Sequence, residues 1–300
     1  MDNYGVLAGV YDRFMDDVPY NEWAGFLHGI FKGAGIETGI LLDIGCGTGR
    51  MTEWFAHKGY DMIGTDTSPD MLSVAMERKV VAGSGTLYLC QDVRNLDLYG
   101  TVDGAYASLD SLNYLIQREE LVQAMTRVAL FLRPGGLFAF DLNTSYKFAH
   151  VMEGGAYARV TPDAGYICES TYDRKTRLNT YAVTIFTPAG EGGTGEADGG
   201  TVRFDGGKAG GAAGAAVTDA GWGTGGGTGE ADGGKFYAGP YARSQETHVQ
   251  RAYTLAQVQR ILSEVRLELM AVYDGYTMAE PSKNCERWLF VARKPRYGMV

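Results

Sequence analysis

The chain is poor in the residues that staple, anchor or coat a protein for special surroundings. Its four cysteines, Cys46, Cys90, Cys168 and Cys285, lie far apart with no CxxC or CxxH spacing. That excludes a disulfide framework and a cysteine-based zinc site, and it fits a reducing cytoplasm. Each thiol reads as a small buried hydrophobe. Long apolar runs are missing too: the stretch 127–140 is broken by Arg133, Pro134 and paired glycines, short of the ~20 apolar residues of a membrane span. Basic residues are in deficit, 27 against 36 acidic, for a net charge of −9. Bulk attraction to nucleic acid or to an anionic membrane is not expected from that balance, although it leaves room for a local basic patch. The N-terminal stretch is acidic and lacks the basic start and cleavage site of a secretory signal, so a cytoplasmic location is expected.

What is present is a large apolar fraction, 45% of 300 residues, enough for one α/β domain with or without a small appendage. Helical spacing marks 4–16 and 20–32. Strands then alternate with helices. Strands are expected at 39–44, 60–66, 86–92, 103–109 and 137–143. Helices are expected at 50–59, at 68–80 with Ser68 as N-cap and Pro69 at N1, and at 118–132, stopped by Arg133–Gly136. Such alternation implies a largely parallel, doubly wound sheet. The pattern changes at 165–188, two alternating strands joined near Asp173–Thr176, with a third candidate at 241–253. Between them, residues 189–240 hold 20 of the 43 glycines and repeat TGEADGG twice. Such a segment buries too little apolar surface to offset its ordering entropy, and it reads as a low-complexity insertion in a hairpin loop. A helix at 255–265 and strands at 266–275 and 285–295 close the chain. The expected organisation is an N-terminal helical segment (1–39), a nucleotide-binding type of core (40–160), an antiparallel β cap carrying the insertion (161–253), and a C-terminal helix with the last two core strands (254–300).

The glycine loop LLDIGCGTGR (41–50) follows the first core strand and opens a helix. Glycines there let backbone approach a ligand, and the helix presents its positive end. A nicotinamide dinucleotide would place its pyrophosphate at this point, but Asp43 just before the loop sits badly with a diphosphate. It suits a ligand with an ammonium group, which S-adenosylmethionine (SAM) carries beside its sulfonium. Asp66 ends the second strand, where an acid accepts ribose hydroxyls. Asp92 ends the third, where an acid reads the adenine amine with the Val93 N–H facing a ring nitrogen.

These ordered motifs resemble the class I SAM-dependent methyltransferases. LLDIGCGTGR, GTDTSPDML, CQDVRNL and DGAYASLDSLNYL look like their first four motifs, and LFLRPGGLFAFDLN like their strand-five signature. YDRFM, DSLNYL, ETHVQRAYT and CERWLF point to the YqeM-like group within the glycine N-methyltransferase-like branch. The resemblance implies a Rossmann-like seven-stranded sheet of order 3-2-1-4-5-7-6, strand seven antiparallel, and a small antiparallel cap over the substrate opening. It implies a cofactor site of Tyr11, Asp43, Gly45, Cys46, Gly47, Asp66, Thr67, Met71, Asp92, Val93, Ser108 and Leu109, in which Tyr11 reaches the SAM carboxylate, Asp43 orders the loop and the ammonium, and Ser108 and Leu109 lie near the methionine moiety.

Asp110, Asn113 and Tyr114 follow strand four, where such enzymes place substrate contacts; a helix cap with a packed aromatic is the other reading. His248 and Gln250 share one face of a cap strand and Arg251 takes the other; His248 is either a general base or a structural histidine. Arg287 either binds an acidic substrate group or pairs with a surface carboxylate. The sequence thus points to methyl transfer from SAM by in-line displacement to a nitrogen or oxygen of a small molecule, with S-adenosylhomocysteine (SAH) as product and no metal required. A tRNA acceptor is the main alternative, opposed by the absence of a basic run and of an aromatic RNA-binding signature. DNA base methylation is disfavoured because the strand-four motif is not [DNS]-P-P-[YFW]. A non-catalytic SAM-binding protein and an NAD-dependent oxidoreductase complete the alternatives.

Overall fold

The computed structural model describes residues 5–161, 164–188, 230–231, 234–235 and 241–296. Most of the 189–240 insertion therefore lies outside the described residues. Two helices, α1 (Gly5–Phe14) and α2 (Tyr20–Gly33), precede an alternating series: β1 (Gly39–Ile44), α3 (Arg50–His57), β2 (Tyr60–Asp66), α4 (Pro69–Ala82), β3 (Leu87–Cys90), β4 (Val102–Ala107), α5 (Arg118–Phe131) and β5 (Leu132–Asn143). Then come β6 (Ala156–Thr161), β7 (Ala164–Asp173), β8 (Leu178–Pro188) and β9 (Tyr241–Arg251), followed by α6 (Leu255–Glu264), β10 (Glu268–Asp274) and β11 (Arg287–Arg293).

The large sheet runs β3-β2-β1-β4-β5-β11-β10. Counting only its own strands, this is the 3-2-1-4-5-7-6 order that the resemblance implies. β1 to β5 are parallel, and β11 is antiparallel to both β5 and β10. Alternation along the central strands sends side chains into two cores. Phe138, Phe140 and Leu142 of β5, with Phe290 of β11, pack beneath α5 and α6. Phe140 stacks on Phe138 and Phe290 with centroids 4.8 and 5.0 Å away. On the opposite face, Leu137, Ala139, Leu289, Val291 and Tyr106 meet Phe31 of α2 and Phe55 of α3. Local signals agree with these elements: Ser68 Oγ accepts the Met71 N–H at the start of α4, behind Pro69, and a reciprocal Thr254–Gln257 capping box starts α6.

Three local expectations change. β3 ends at Cys90 rather than at residue 92, because Asp92 Oδ1 accepts the Arg94 N–H and turns the chain into a short 3₁₀ helix, Val93–Asn95. β5 begins at Leu132: α5 ends at Phe131, as the stop predicts, but Arg133–Gly136 already belong to the strand. The Gly135 N–H reaches the Lys294 carbonyl and the Lys294 N–H the Gly136 carbonyl, which pairs this segment with the chain after β11. β6 is a strand that periodicity did not mark, because as a largely exposed edge strand it shows no apolar alternation.

The small sheet is antiparallel, in the order β9-β8-β7-β6. Tyr181 lies opposite His248, and Asn179 opposite Gln250. Leu7, Val10 and Phe14 of α1 bury against this sheet, together with Phe148 from a π-helical turn, Lys147–Met152, that follows β5. The N-terminal helix therefore ties the small sheet to the large one. Among the described residues no helix is long and apolar enough to cross a membrane.

Candidate active site

The glycine loop joins β1 to α3 at the C-terminal edge of the large sheet. Thr65 O accepts the N–H groups of Gly45 (2.8 Å) and Cys46 (3.0 Å), binding the loop to β2. Gly45 has φ +68°, and a Cβ there would stand 2.6 Å from Ser111 Oγ. Gly47 has φ +52° with nothing within 4 Å of where its Cβ would be, so the loop leaves open space on that side. Burial raises the Cys46 thiol well above its usual range and keeps it neutral.

Beneath the loop, Asp43 is 2% exposed. Its Oδ2 accepts from Thr52 Oγ1 (2.6 Å) and Tyr106 OH (2.9 Å), while Oδ1 is buried with no hydrogen-bond partner. Burial pushes its carboxyl up to about 7; the two hydroxyls oppose the shift, and nearby Asp66 adds to it. Asp66 spans the loop and the next helix: Oδ2 accepts the Gly47 N–H and Oδ1 the Ser68 N–H, each at 2.9 Å. It is not the cap of α4, which is Ser68. Burial raises the Asp66 carboxyl, and these backbone donors restrain it. Thr67 beside it is exposed, and Met71 is buried in the first turn of α4.

Asp92 stands one strand further out, followed by Val93 in the 3₁₀ turn. Both of its oxygens meet the Arg94 guanidinium, which also pairs with Glu120. Burial would raise this carboxyl, but the Arg94 hydrogen bonds and charge outweigh it and hold it low. A purine amine at Asp92 would share the carboxylate with Arg94.

Ser108, Leu109 and Asp110 leave β4 through an unusual turn. Ser108 is buried with Oγ on Met51 Sδ. Leu109 and Asp110 take φ of +56° and +55° in succession, a conformation costing non-glycine residues of order 1–3 kcal/mol each. Asp141 of β5, fully buried, holds them there: its oxygens accept the Leu109 N–H (3.0 Å) and the Asp110 N–H (2.6 Å). Asp141 also accepts Tyr276 OH (2.6 Å) and pairs with Arg287 Nη1 (2.9 Å). Arg287 Nη2 reaches Asp110 Oδ1 at 2.8 Å, and the guanidinium lies over Trp23, which stacks on Tyr276. Burial opposes the Arg287 charge, but Asp141 and Asp110 outweigh it and keep the guanidinium firmly protonated. Its partners are therefore the fully buried Asp141 and the half-buried Asp110.

Gln250 of β9 continues the network. Its Nε2 donates to Asp110 Oδ2 (2.6 Å), and its Oε1 accepts from Tyr181 OH (3.3 Å) and Asn143 Nδ2 (3.5 Å). Asn113 is fully buried and braces backbone, donating to Asn143 O and Arg251 O while accepting the Asn143 N–H. His248, 3% exposed, faces the same side as Gln250, with Nε2 3.3 Å from Glu246 Oε2 and its ring edge against Tyr114. Arg251, on the opposite face, reaches Ile116 O.

α1 closes the arrangement. Tyr11 is hydrogen-bonded to Tyr20; burial raises its phenol first, with Tyr20, Tyr114 and Asp110 adding to the shift. Asp12 pairs with Arg78 and accepts Thr48 Oγ1 (2.7 Å), fastening α1 to the loop and to α4. A cleft of about 640 Å³ lies beyond this clamp, between the 16–22 turn, α3 and α4; none of the strand-end acids lines it. Asp12, Trp23, Asp141, Lys147 and Tyr276 went unnoticed in the sequence. Only Asp141 left a signal, as a lone acid inside the apolar strand LFAFDLN.

This geometry frames the comparisons with known proteins. A methyltransferase domain family matches residues 41–136. The YqeM protein of Bacillus subtilis (strain 168), a methyltransferase by name, is 27% identical over 98% of this chain and 98% of its own. The solved structure of a SAM-dependent methyltransferase from Clostridium acetobutylicum superposes with TM-score 0.73 at 23% identity, covering 97% of this chain and 99% of that one. The SAM-bound amino pentose methyltransferase CalS10 from Micromonospora echinaspora does so with TM-score 0.64 at 18% identity, covering 97% and 98%. These matches support a class I SAM-dependent methyltransferase of the YqeM-like branch: a methyltransferase domain spans residues 41–136, and the similarity to YqeM runs over nearly the whole chain.

Proposed function

We propose that the chain transfers the methyl group of SAM to a nitrogen or oxygen of a small molecule bound between the edge of the large sheet and the small antiparallel sheet. The observation that carries this reading is the division of the strand ends. β1, β2 and β3 end in a glycine loop and three acids suited to a cationic nucleoside, while β4 and β5 end in a separate polar wall roofed by β8 and β9. The residues fit SAM better than a dinucleotide. The unpartnered, buried Asp43 oxygen below the loop suits an ammonium group and sits badly with a diphosphate, whereas Asp66 would serve the ribose of either ligand.

In this reading Gly45, Cys46 and Gly47 give backbone to the methionine part, helped by Asp43 below and Tyr11 above. Asp66 takes the ribose hydroxyls on the lone pairs left by Gly47 and Ser68, with Thr67 and Met71 beside it. Asp92 and the Val93 N–H take the adenine. Ser108 and Leu109 form the side toward the acceptor, and Asn113, Tyr114 and His248 line or brace its pocket. Bound SAM supplies a methyl group already activated by the sulfonium. What the protein adds is alignment of the acceptor, which can supply ~7–11 kcal/mol, and exclusion of water by α1 and the small sheet. Arg287 holds Asp110 in place in this scheme.

The likeness to an amino pentose methyltransferase over nearly the whole chain supports a small acceptor. Incubation with methyl-tritiated SAM and a bacterial extract, split into a small-molecule fraction and an RNA fraction, tests the reading. Label in the small-molecule fraction is expected; label confined to RNA would replace the small molecule by a nucleic acid, and label in neither would remove the activity.

A further inference from the structure

One cation of the polar wall is left without a counter-ion. Lys147 opens the π-helical turn that follows β5, and such turns recur at functional sites. Its Nζ donates to Asn143 Oδ1 at 3.1 Å, and no carboxylate oxygen lies within 4.0 Å of it among the described residues. Asn143 links it through Gln250 to Asp110, so the amine ends a hydrogen-bonded chain that begins at the strand-four turn, beside which the proposed acceptor would lie. The charged groups around it are Arg287 and Glu286 at the start of β11, Asp110 after β4 and Asp141 of β5. Arg287 is fully committed to the two aspartates. The neighbourhood thus combines burial and a fixed guanidinium, which disfavour an ammonium, with carboxylates near enough to receive one. Burial first, then Arg287, lower the Lys147 amine below its usual range, while Asp110, Asp141 and Glu286 hold it back.

We propose that Lys147 is the base that takes the proton released by the acceptor during methyl transfer, a role resting on the reading of the pocket given above. The acceptor nitrogen or oxygen forms a bond to the methyl carbon while the carbon–sulfur bond releases its electron pair to sulfur. The proton then lost by the methylated nitrogen or oxygen passes to the free pair of Lys147 Nζ. One positive charge leaves sulfur and one appears on Lys147, where Asn143 Oδ1 and the nearby aspartates stabilise it. The site needs no other proton acceptor, and its net charge is unchanged across the step.

The amine must then feel the charge on sulfur. SAM and SAH differ by one methyl group and that charge, so they separate this role from simple burial. In protein labelled with ¹³C-lysine, the Lys147 Cε resonance, assigned by its absence from Lys147→Arg or, should that variant not fold, Lys147→Met, is titrated without ligand, with SAH and with SAM. Calorimetry on the same samples reports binding. The Lys147 midpoint is expected to lie below the ordinary lysine value of about 10.4 and to fall further with SAM than with SAH. Binding of both ligands with equal Lys147 midpoints, or with a midpoint at the ordinary lysine value, would overturn the proposal while leaving the SAM site intact. Failure of either ligand to bind would instead overturn the reading of the site itself, and the proposal with it.

Discussion

The two halves of the site are built on different principles. On the β1–β3 side, the contacts span short distances along the chain: Thr52 to Asp43 is 9 residues, and Gly47 to Asp66 is 19. Backbone N–H groups do much of the holding there, and one α/β unit positions the next. On the β4–β5 side, Gln250 to Asp110 spans 140 residues and Arg287 to Asp110 spans 177. That half adds side-chain pairs to the backbone contacts of Asp141 and Asn113, and it is complete only when the small sheet and the antiparallel strand β11 have docked. The first half suits a constant ligand. The second can change with the acceptor while the first is kept, because the two meet mainly at the end of β4, through Tyr106 on Asp43 and Ser111 beside Gly45.

Replacing Arg287 should break the second half most severely. Arg287→Met leaves the fully buried Asp141, and the half-buried Asp110 beside it, without their counter-charge, a change that costs about 3–5 kcal/mol in comparable buried pairs; urea unfolding measures it. A loss below about 1 kcal/mol would mean that the network is not what holds the strand-four turn. The first half should respond to pH through Asp43. Its carboxyl is raised from 3.8 to about 7 in the folded state, so folding favours the protonated form. The stability this contributes is fully present below about pH 4 and is lost as pH rises through 7, with an upper bound of about 4 kcal/mol. Asp43→Asn should flatten that part of the stability–pH curve between pH 4 and 8, and an unchanged curve would assign the loss to other acids.

Asp66→Ala should weaken SAM binding at least tenfold, about 1.4 kcal/mol, by removing the acceptor that joins the loop to α4 and is proposed to take the ribose. Unchanged affinity in a calorimetric titration would remove the ribose role. The smallest effect belongs to the clamp on α1. Its Asp12–Arg78 pair is about one-third exposed on each side, so Asp12→Ala should cost at most about 1 kcal/mol. The sign to look for is faster proteolysis within residues 5–14, with affinity for SAM reduced severalfold.

The same division decides what could be read from the chain before it folds. β1 and β2, the Ser68 cap and the acids at 43 and 66 are local signals, and each lies where its motif placed it. Strand order came from the resemblance, since periodicity marks strands and not their neighbours. The wall beyond β4 was poorly legible. Asp110, Asn113, Tyr114, His248 and Arg287 could be named singly, but nothing in their spacing shows that Arg287 meets Asp110 and Asp141 or that Gln250 joins Asp110 to the small sheet. Lys147 carried no mark, because a lysine after a strand is ordinarily a solvated residue. β6 escaped for a related reason: an exposed edge strand has no apolar alternation to reveal it.

The most direct measurement is calorimetric titration of the purified protein with SAM and with SAH, with NAD as control. Micromolar binding of the first two and none of NAD is expected from a loop seated over Asp43 and bridged by Asp66. Binding of NAD in place of SAM, or of neither, would contradict the assignment of the β1–β3 edge on which the rest depends.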